Sequence, residues 1–143
     1  MNSNFPKNEV FLDTSYVIAL SVKSDAWHYR AATIAADLKV KQTRMTTTRG
    51  VLLEMGNALS RPRYRSEAIK FLRQAEGDPN IEIVSLTDEL YLRGLGLFQS
   101  RPDKQWGLVD CISFVVMSDR GLMQALTADE HFVQAGFRAL LRE

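Results

Sequence analysis

A single cysteine, Cys111, rules out an intramolecular disulfide in this 143-residue chain, so hydrogen bonds and a packed core must hold the fold. No apolar run approaches the ~18 residues of a membrane span. His28 and His131 are isolated and lack partners at zinc-ligand spacing; His131, two residues from Asp129, could touch solvent or substrate but reads first as a surface histidine. The chain has no glycine-rich phosphate loop and no Gly-x-Ser-x-Gly turn, which leaves nucleotide-cofactor and acyl-transfer chemistry without support. Charge is almost balanced at +1, so any nucleic-acid footprint must be local. Residues Met1 to Lys7 lack the apolar core of a signal peptide. Together these absences imply a soluble cytoplasmic protein of a reducing compartment.

What is present suits one domain, residues 1–143. A hydrophobic content of 45% is enough for a real core and shows no bias to disorder. The organising stretch is Glu9-Val10-Phe11-Leu12-Asp13-Thr14-Ser15. Its continuous apolar run predicts a central strand buried on both faces. Thr14 or Ser15 can then cap a helix. Asp13 falls at the carboxyl end of that strand, where ligands bind in open α/β sheets, although a helix-capping Asp would look the same.

The rest of the chain alternates helix and strand. Apolar spacing predicts a helix over Trp27 to Val40, a Thr-rich strand at Arg44 to Thr47, and a helix capped by Thr48 that stops before Pro62. A further helix is expected from Arg65 to Glu76, a strand at Ile81 to Val84, and a helix from Asp88 to Phe98 that Gly94 and Gly96 weigh against. After a loop at residues 100–105 come a core helix from Leu108 to Arg120, a strand from Met123 to Thr127, and a last strand from Arg138 to Leu141. Strands separated by helices favour a mostly parallel sheet in a three-layer α/β/α sandwich.

Four acids stand out on this map. Asp13 and Asp129 lie at or just beyond strand ends. Glu54 interrupts an apolar helix, where Asn57 can fix its rotamer, and Asp110 opens the core helix. Each also has an ordinary reading, as a cap, a solvated Glu or a dipole-compensating Asp.

In this order, Leu12-Asp13-Thr14-Ser15, Leu53-Glu54-Met55-Gly56-Asn57, Leu108-Val109-Asp110-Cys111-Ile112-Ser113 and Leu126-Thr127-Ala128-Asp129-Glu130-His131-Phe132 resemble the motifs of PIN-domain proteins, especially VapC-type toxin ribonucleases. Cys111 departs slightly, since a small Ala often stands there. The resemblance implies about five parallel strands ordered 3-2-1-4-5 and an acidic pocket for Mg²⁺ or Mn²⁺. It also implies RNA hydrolysis to 5′-phosphate and 3′-hydroxyl products, an antitoxin partner and a homodimer. Hard cations take oxygen ligands and keep several waters. Asp13 and Asp110 are accordingly expected as direct ligands, and Asp129 and Glu54 through water or on a second ion. Thr14, Ser15, Asn57, Ser113 and Thr127 are expected to support them.

For nucleic acid, Arg61, Arg63, Tyr64 and Arg65 set three guanidiniums around an aromatic ring, and Arg101 and Lys104 approach Asp110. Solvated helix ends would look alike. Trp106 is expected to anchor a loop, Cys111 to be core, and the apolar face of the Arg65 to Glu76 helix to form the dimer contact. A receiver or phosphotransfer module would want a second acid beside Asp13 and a late lysine, but none follows Lys104. A haloacid-dehalogenase phosphatase would want an acid where Ser15 stands. A solitary nuclease, or a non-catalytic PIN-like binding module, remains the alternative.

Overall fold

Val10, Phe11 and Leu12 are buried in β1 (Glu9–Leu12), the middle strand of a five-stranded parallel sheet ordered β3-β2-β1-β4-β5. The computed structural model describes residues 8–143; the reading of Met1 to Lys7 lies outside the described residues. The other strands are β2 (Arg44–Thr48), β3 (Ile81–Val84), β4 (Gln124–Leu126) and β5 (Arg138–Ala139). Helices α1 (Thr14–Ser21), α2 (His28–Lys41), α3 (Arg49–Ala58), α4 (Pro62–Gly77), α5 (Asp88–Ser100), α6 (Leu108–Arg120) and α7 (Glu130–Gln134) flank the sheet. The three-layer sandwich and the strand order are those expected.

The Thr-rich strand β2 is buried despite its hydroxyls because each has a partner. Thr46 donates to Glu9 at 2.6 Å, Thr47 to the Leu12 carbonyl at 2.9 Å, and Thr48 accepts the Val51 N–H to cap α3. Polar groups satisfied in this way remove most of the cost of burial.

Several boundaries differ from expectation for local reasons. α4 begins at Pro62, which occupies the first helical turn, where its missing N–H costs nothing; Arg63, Tyr64 and Arg65 are therefore helical. α1 begins at Thr14, so Asp13 rather than Thr14 or Ser15 holds the cap position, yet its side chain makes no cap hydrogen bond. The last strand is only Arg138–Ala139 and tightens into a 3-10 turn at Leu140–Arg142. α7 is a short helix that apolar periodicity does not mark.

Gly94, which weighs against a helix by propensity, has a packing role. A Cβ there would lie 2.4 Å from Ile112 Cγ1 and 3.3 Å from Ile112 Cα, so α5 and α6 can approach closely only over a glycine. Nearby, Phe114 makes edge contacts with Trp106 and Phe132 at centroid distances of 5.1 and 4.9 Å. Trp106 is buried and donates to Gln134 at 3.0 Å, so it anchors its loop as expected. Cys111 is buried in the same core, where burial first and the Asp110 charge second push its thiol upward.

Candidate metal and catalytic site

Pairing of Leu12 with Leu126 brings the carboxyl ends of β1 and β4 side by side, so Asp13 and Thr127 leave the sheet together. The Asp13 N–H donates to the Leu126 carbonyl at 3.2 Å. Thr127 donates its hydroxyl to Asp13 Oδ2 at 2.7 Å, and Ser15 reaches the same oxygen at 3.1 Å. Both hydroxyls also accept backbone N–H groups of the loop after β4: Ser15 from Ala128 at 2.9 Å, Thr127 from Asp129 at 3.0 Å. Asp13 is thus fixed from the β4 side, and the same hydroxyls fix the backbone that carries Asp129.

Asp13 is only 4% exposed. Burial, reinforced by the charges of Asp110 and Glu54, pushes its pKa up to about 7; the Thr127 hydrogen bond and the Thr14 backbone N–H act in the opposite sense. Glu54 projects from α3 toward α1, where Thr14 Oγ1 donates to its Oε1 at 2.7 Å. Burial raises its pKa, with Asp110 and Asp129 adding to the effect and the Thr14 bond opposing it.

Asp110 sits in the first turn of α6 and uses Oδ2 twice. That oxygen accepts the Gly107 N–H at 3.1 Å, which caps the helix, and lies 3.2 Å from His131 Nδ1. Burial raises the Asp110 pKa, the Gly107 N–H opposes this, the Asp129 charge adds to it, and His131 again opposes it. Asp129 caps α7 by accepting the His131 N–H at 2.8 Å, and the His131 ring nitrogen lies 3.3 Å from the same Oδ1. Capping and site geometry are therefore the same contacts here, not competing explanations.

Thr127 ties Asp13 to the backbone of Asp129, His131 lies 3.2 Å from Asp110 and 3.3 Å from Asp129, and Thr14, next to Asp13, holds Glu54, so the four acids gather beyond the ends of β1 and β4. Three residues, Asp110, Asp129 and His131, also present donor atoms within 4.8 Å of one another, with side chains 15%, 33% and 23% exposed. A pocket of partly buried carboxylates whose charges repel is the donor set a divalent cation relieves, so these residues fit such an ion.

The remaining expected residues are distributed less simply. Asn57 is exposed, and the hydroxyl that holds Glu54 is Thr14's. Ser113 is buried and donates to the Val109 carbonyl at 2.9 Å. Arg61 caps α4 by position, Arg63 stacks over Tyr64 at 5.4 Å, and Arg65 donates to the Ser60 carbonyl. Arg101 forms a two-pronged pair with Asp103 and lies over Trp106 at 5.0 Å, while the Lys104 N–H closes that turn onto the Arg101 carbonyl. His131, a surface residue by its sequence context, is the site member that the sequence does not disclose. Its spacing of two from Asp129 is visible in the chain, but not the turn that folds its ring back toward Asp110.

A parallel sheet of this order, with acids gathered beyond the ends of β1 and β4, defines a PIN-type α/β protein. A family model for the PIN domain matches residues 10–138, and the chain belongs to that family. Among solved structures it is similar to VapC20 of Mycobacterium tuberculosis, described as a sarcin-ricin loop cleaving toxin. That likeness has 26% identity, covers 90% of this chain and 95% of the other, and has a TM-score of 0.80. It also shares its fold with VapBC2 from Rickettsia felis, solved bound to a DNA fragment from their promoter. Here identity is 13%, coverage 92% and 96%, and the TM-score 0.63. No curated protein matches the chain.

Proposed function

We propose that the chain is a single-domain PIN protein that acts as a metal-dependent endoribonuclease, the toxin of a VapBC-type toxin–antitoxin pair. The observation that carries this is the gathering of Asp13, Asp110 and Asp129, with Glu54 held beside them by Thr14, at the carboxyl ends of β1 and β4 in a PIN fold. Similarity to a toxin that cleaves the sarcin-ricin loop supports RNA as the substrate. Mg²⁺ or Mn²⁺ would be held by these carboxylates. Such an ion, when bound, stabilises phosphoryl charge and helps to generate the attacking nucleophile. Thr127 and Ser15 hold Asp13, and Thr14 holds Glu54, so the acids meet substrate already oriented. The products are a 5′-phosphate and a 3′-hydroxyl.

Arg61, Arg63 and Arg65 crowd the start of α4, a helix with no acid in its first turn. Cations there oppose the helix dipole by about 0.3–1 kcal/mol each, and RNA phosphates offset that cost. Leu53 of α3 and Ile69 of α4 are 60% and 53% exposed and line one apolar groove with Leu52 and Leu72, the surface we assign to contact between two copies. An antitoxin is the remaining partner.

The test is incubation of purified protein with total RNA and Mn²⁺, with and without chelator, beside Asp110→Asn. Cleavage only by the wild type with metal, giving 5′-phosphate ends, is expected. Equal cleavage in chelator, or none with metal, overturns the assignment.

A further inference from the structure

His131 lies where an oxygen-only metal pocket would not need it. Its ring nitrogen Nδ1 is 3.2 Å from Asp110 Oδ2 and 3.3 Å from Asp129 Oδ1, and the three donor atoms form one compact group. Adjacent ligands on an octahedral ion at about 2.1 Å are about 3 Å apart, so both separations match neighbouring coordination positions with little movement. The backbone supports this placement. Asp129 accepts the His131 N–H at 2.8 Å, which closes the first turn of α7 and sets the ring back over the carboxylates.

On the reading of this pocket as a divalent-metal site, we propose that His131 Nδ1 is itself a metal ligand beside Asp110 and Asp129. The pocket then prefers a first-row transition dication to Mg²⁺. The chemical ground is donor class: imidazole nitrogen binds first-row transition dications with an affinity that rises from Mn²⁺, the weakest of them, to Cu²⁺, whereas Mg²⁺ favours oxygen and gives up water reluctantly. An all-carboxylate pocket would lack this source of discrimination.

The test uses Mn²⁺ and Mg²⁺ as the probes, with the wild type, His131→Gln and Asp110→Asn. Electron spin-echo measurements on bound Mn²⁺ should show coupling to a directly bound imidazole nitrogen in the wild type and none in His131→Gln. Calorimetry should show Mn²⁺ affinity falling several-fold in His131→Gln, by clearly more than that for Mg²⁺. Mg²⁺ affinity should change by less than about two-fold, so the selectivity ratio collapses. A melting temperature for His131→Gln equal to wild type in chelator shows that the loss is one of ligation and not of folding. Wild-type protein that binds Mn²⁺ without nitrogen coupling, or a variant that weakens both ions equally, overturns the role of His131 and leaves the metal-nuclease reading standing. Absence of Mn²⁺ binding by the wild type, or equal binding by Asp110→Asn, overturns that reading as well.

Discussion

Thr127 donates its hydroxyl to Asp13 across 114 residues of chain at 2.7 Å, and both side chains are buried. Thr127→Val keeps the shape and removes the hydroxyl that Asp13 accepts from. It also strips the acceptor from the Asp129 N–H. Urea melts should show a loss of about 1–3 kcal/mol, and calorimetry weaker Mn²⁺ binding, while Thr127→Ser restores much of both. Wild-type values for the valine variant would remove Thr127 from the site.

The burial of Asp13 has a definite pH signature. Its folded pKa of about 7 lies above the unfolded value, so its contribution to stability is whole below about pH 4 and is lost as pH rises through about 7. Glu54 and Asp110 shift in the same sense. In chelator, stability should therefore fall from pH 4.5 to 7.5 by up to roughly 3 kcal/mol from Asp13 alone. Denaturant titrations across that range should show a visibly flatter profile for Asp13→Asn. A wild-type profile that rises with pH would contradict the assignment.

Asp110→Asn keeps an oxygen to accept the Gly107 N–H but removes a charge from the repelling group. Its melting temperature in chelator should equal or exceed that of the wild type, its gain from millimolar Mn²⁺ should be clearly smaller, and RNA cleavage should vanish. Asp110→Ala, which also loses the cap, should be less stable by about 1 kcal/mol. Intact cleavage by Asp110→Asn is the result that counts against it.

Arg63 and Arg65 are exposed in the first turn of α4. Replacing each by Ala should weaken RNA binding and make it less steeply dependent on salt, with the slope falling by about 1 for each phosphate that the variant no longer neutralises. Mn²⁺ affinity should not change. Filter binding at several salt concentrations measures the slope, and unchanged slopes would leave these residues as ordinary solvated helix cations.

At Gly94 the close approach to Ile112 sets the sign. Ala is the better helix former by about 1 kcal/mol, yet overpacking costs about 1–3 kcal/mol. Gly94→Ala should therefore be neutral to destabilising despite the propensity gain. At Gly96, where a Cβ meets nothing within 4 Å, the same change should stabilise. Thermal melts of the two variants compare them directly.

The sheet and the site positions at its strand ends can be read from the chain because their signals are local. Val10-Phe11-Leu12 marks a strand buried on both faces, and Asp13 and Thr127 follow from where β1 and β4 end. What escapes depends on rotation about an element or on a turn shorter than a helical period. The partner of Glu54 is Thr14 on another helix, which spacing within α3 cannot show. Pro62 reads as a stop by its chemistry but starts α4, because the first turn needs no N–H. His131 stands two residues from Asp129 in the sequence, but α7 has only five residues, too few for periodicity to say whether its ring faces the site or solvent.

The strand order has a consequence for synthesis. β1 comes first among the five strands of the sheet and lies at its centre, but its partner on one side, β4, spans only Gln124–Leu126 and follows both β2 and β3 in the chain. Until the ribosome has delivered that segment, β1 keeps one edge unpaired, and its hydrogen-bonding groups and apolar side chains stay open to solvent or to a chaperone. Asp110, Asp129 and His131 emerge in the same later stretch, on α6 and around α7. A chain made only as far as β3 therefore carries Asp13 and Glu54 but no assembled pocket, and translation itself keeps the site incomplete until α6, β4 and α7 have followed.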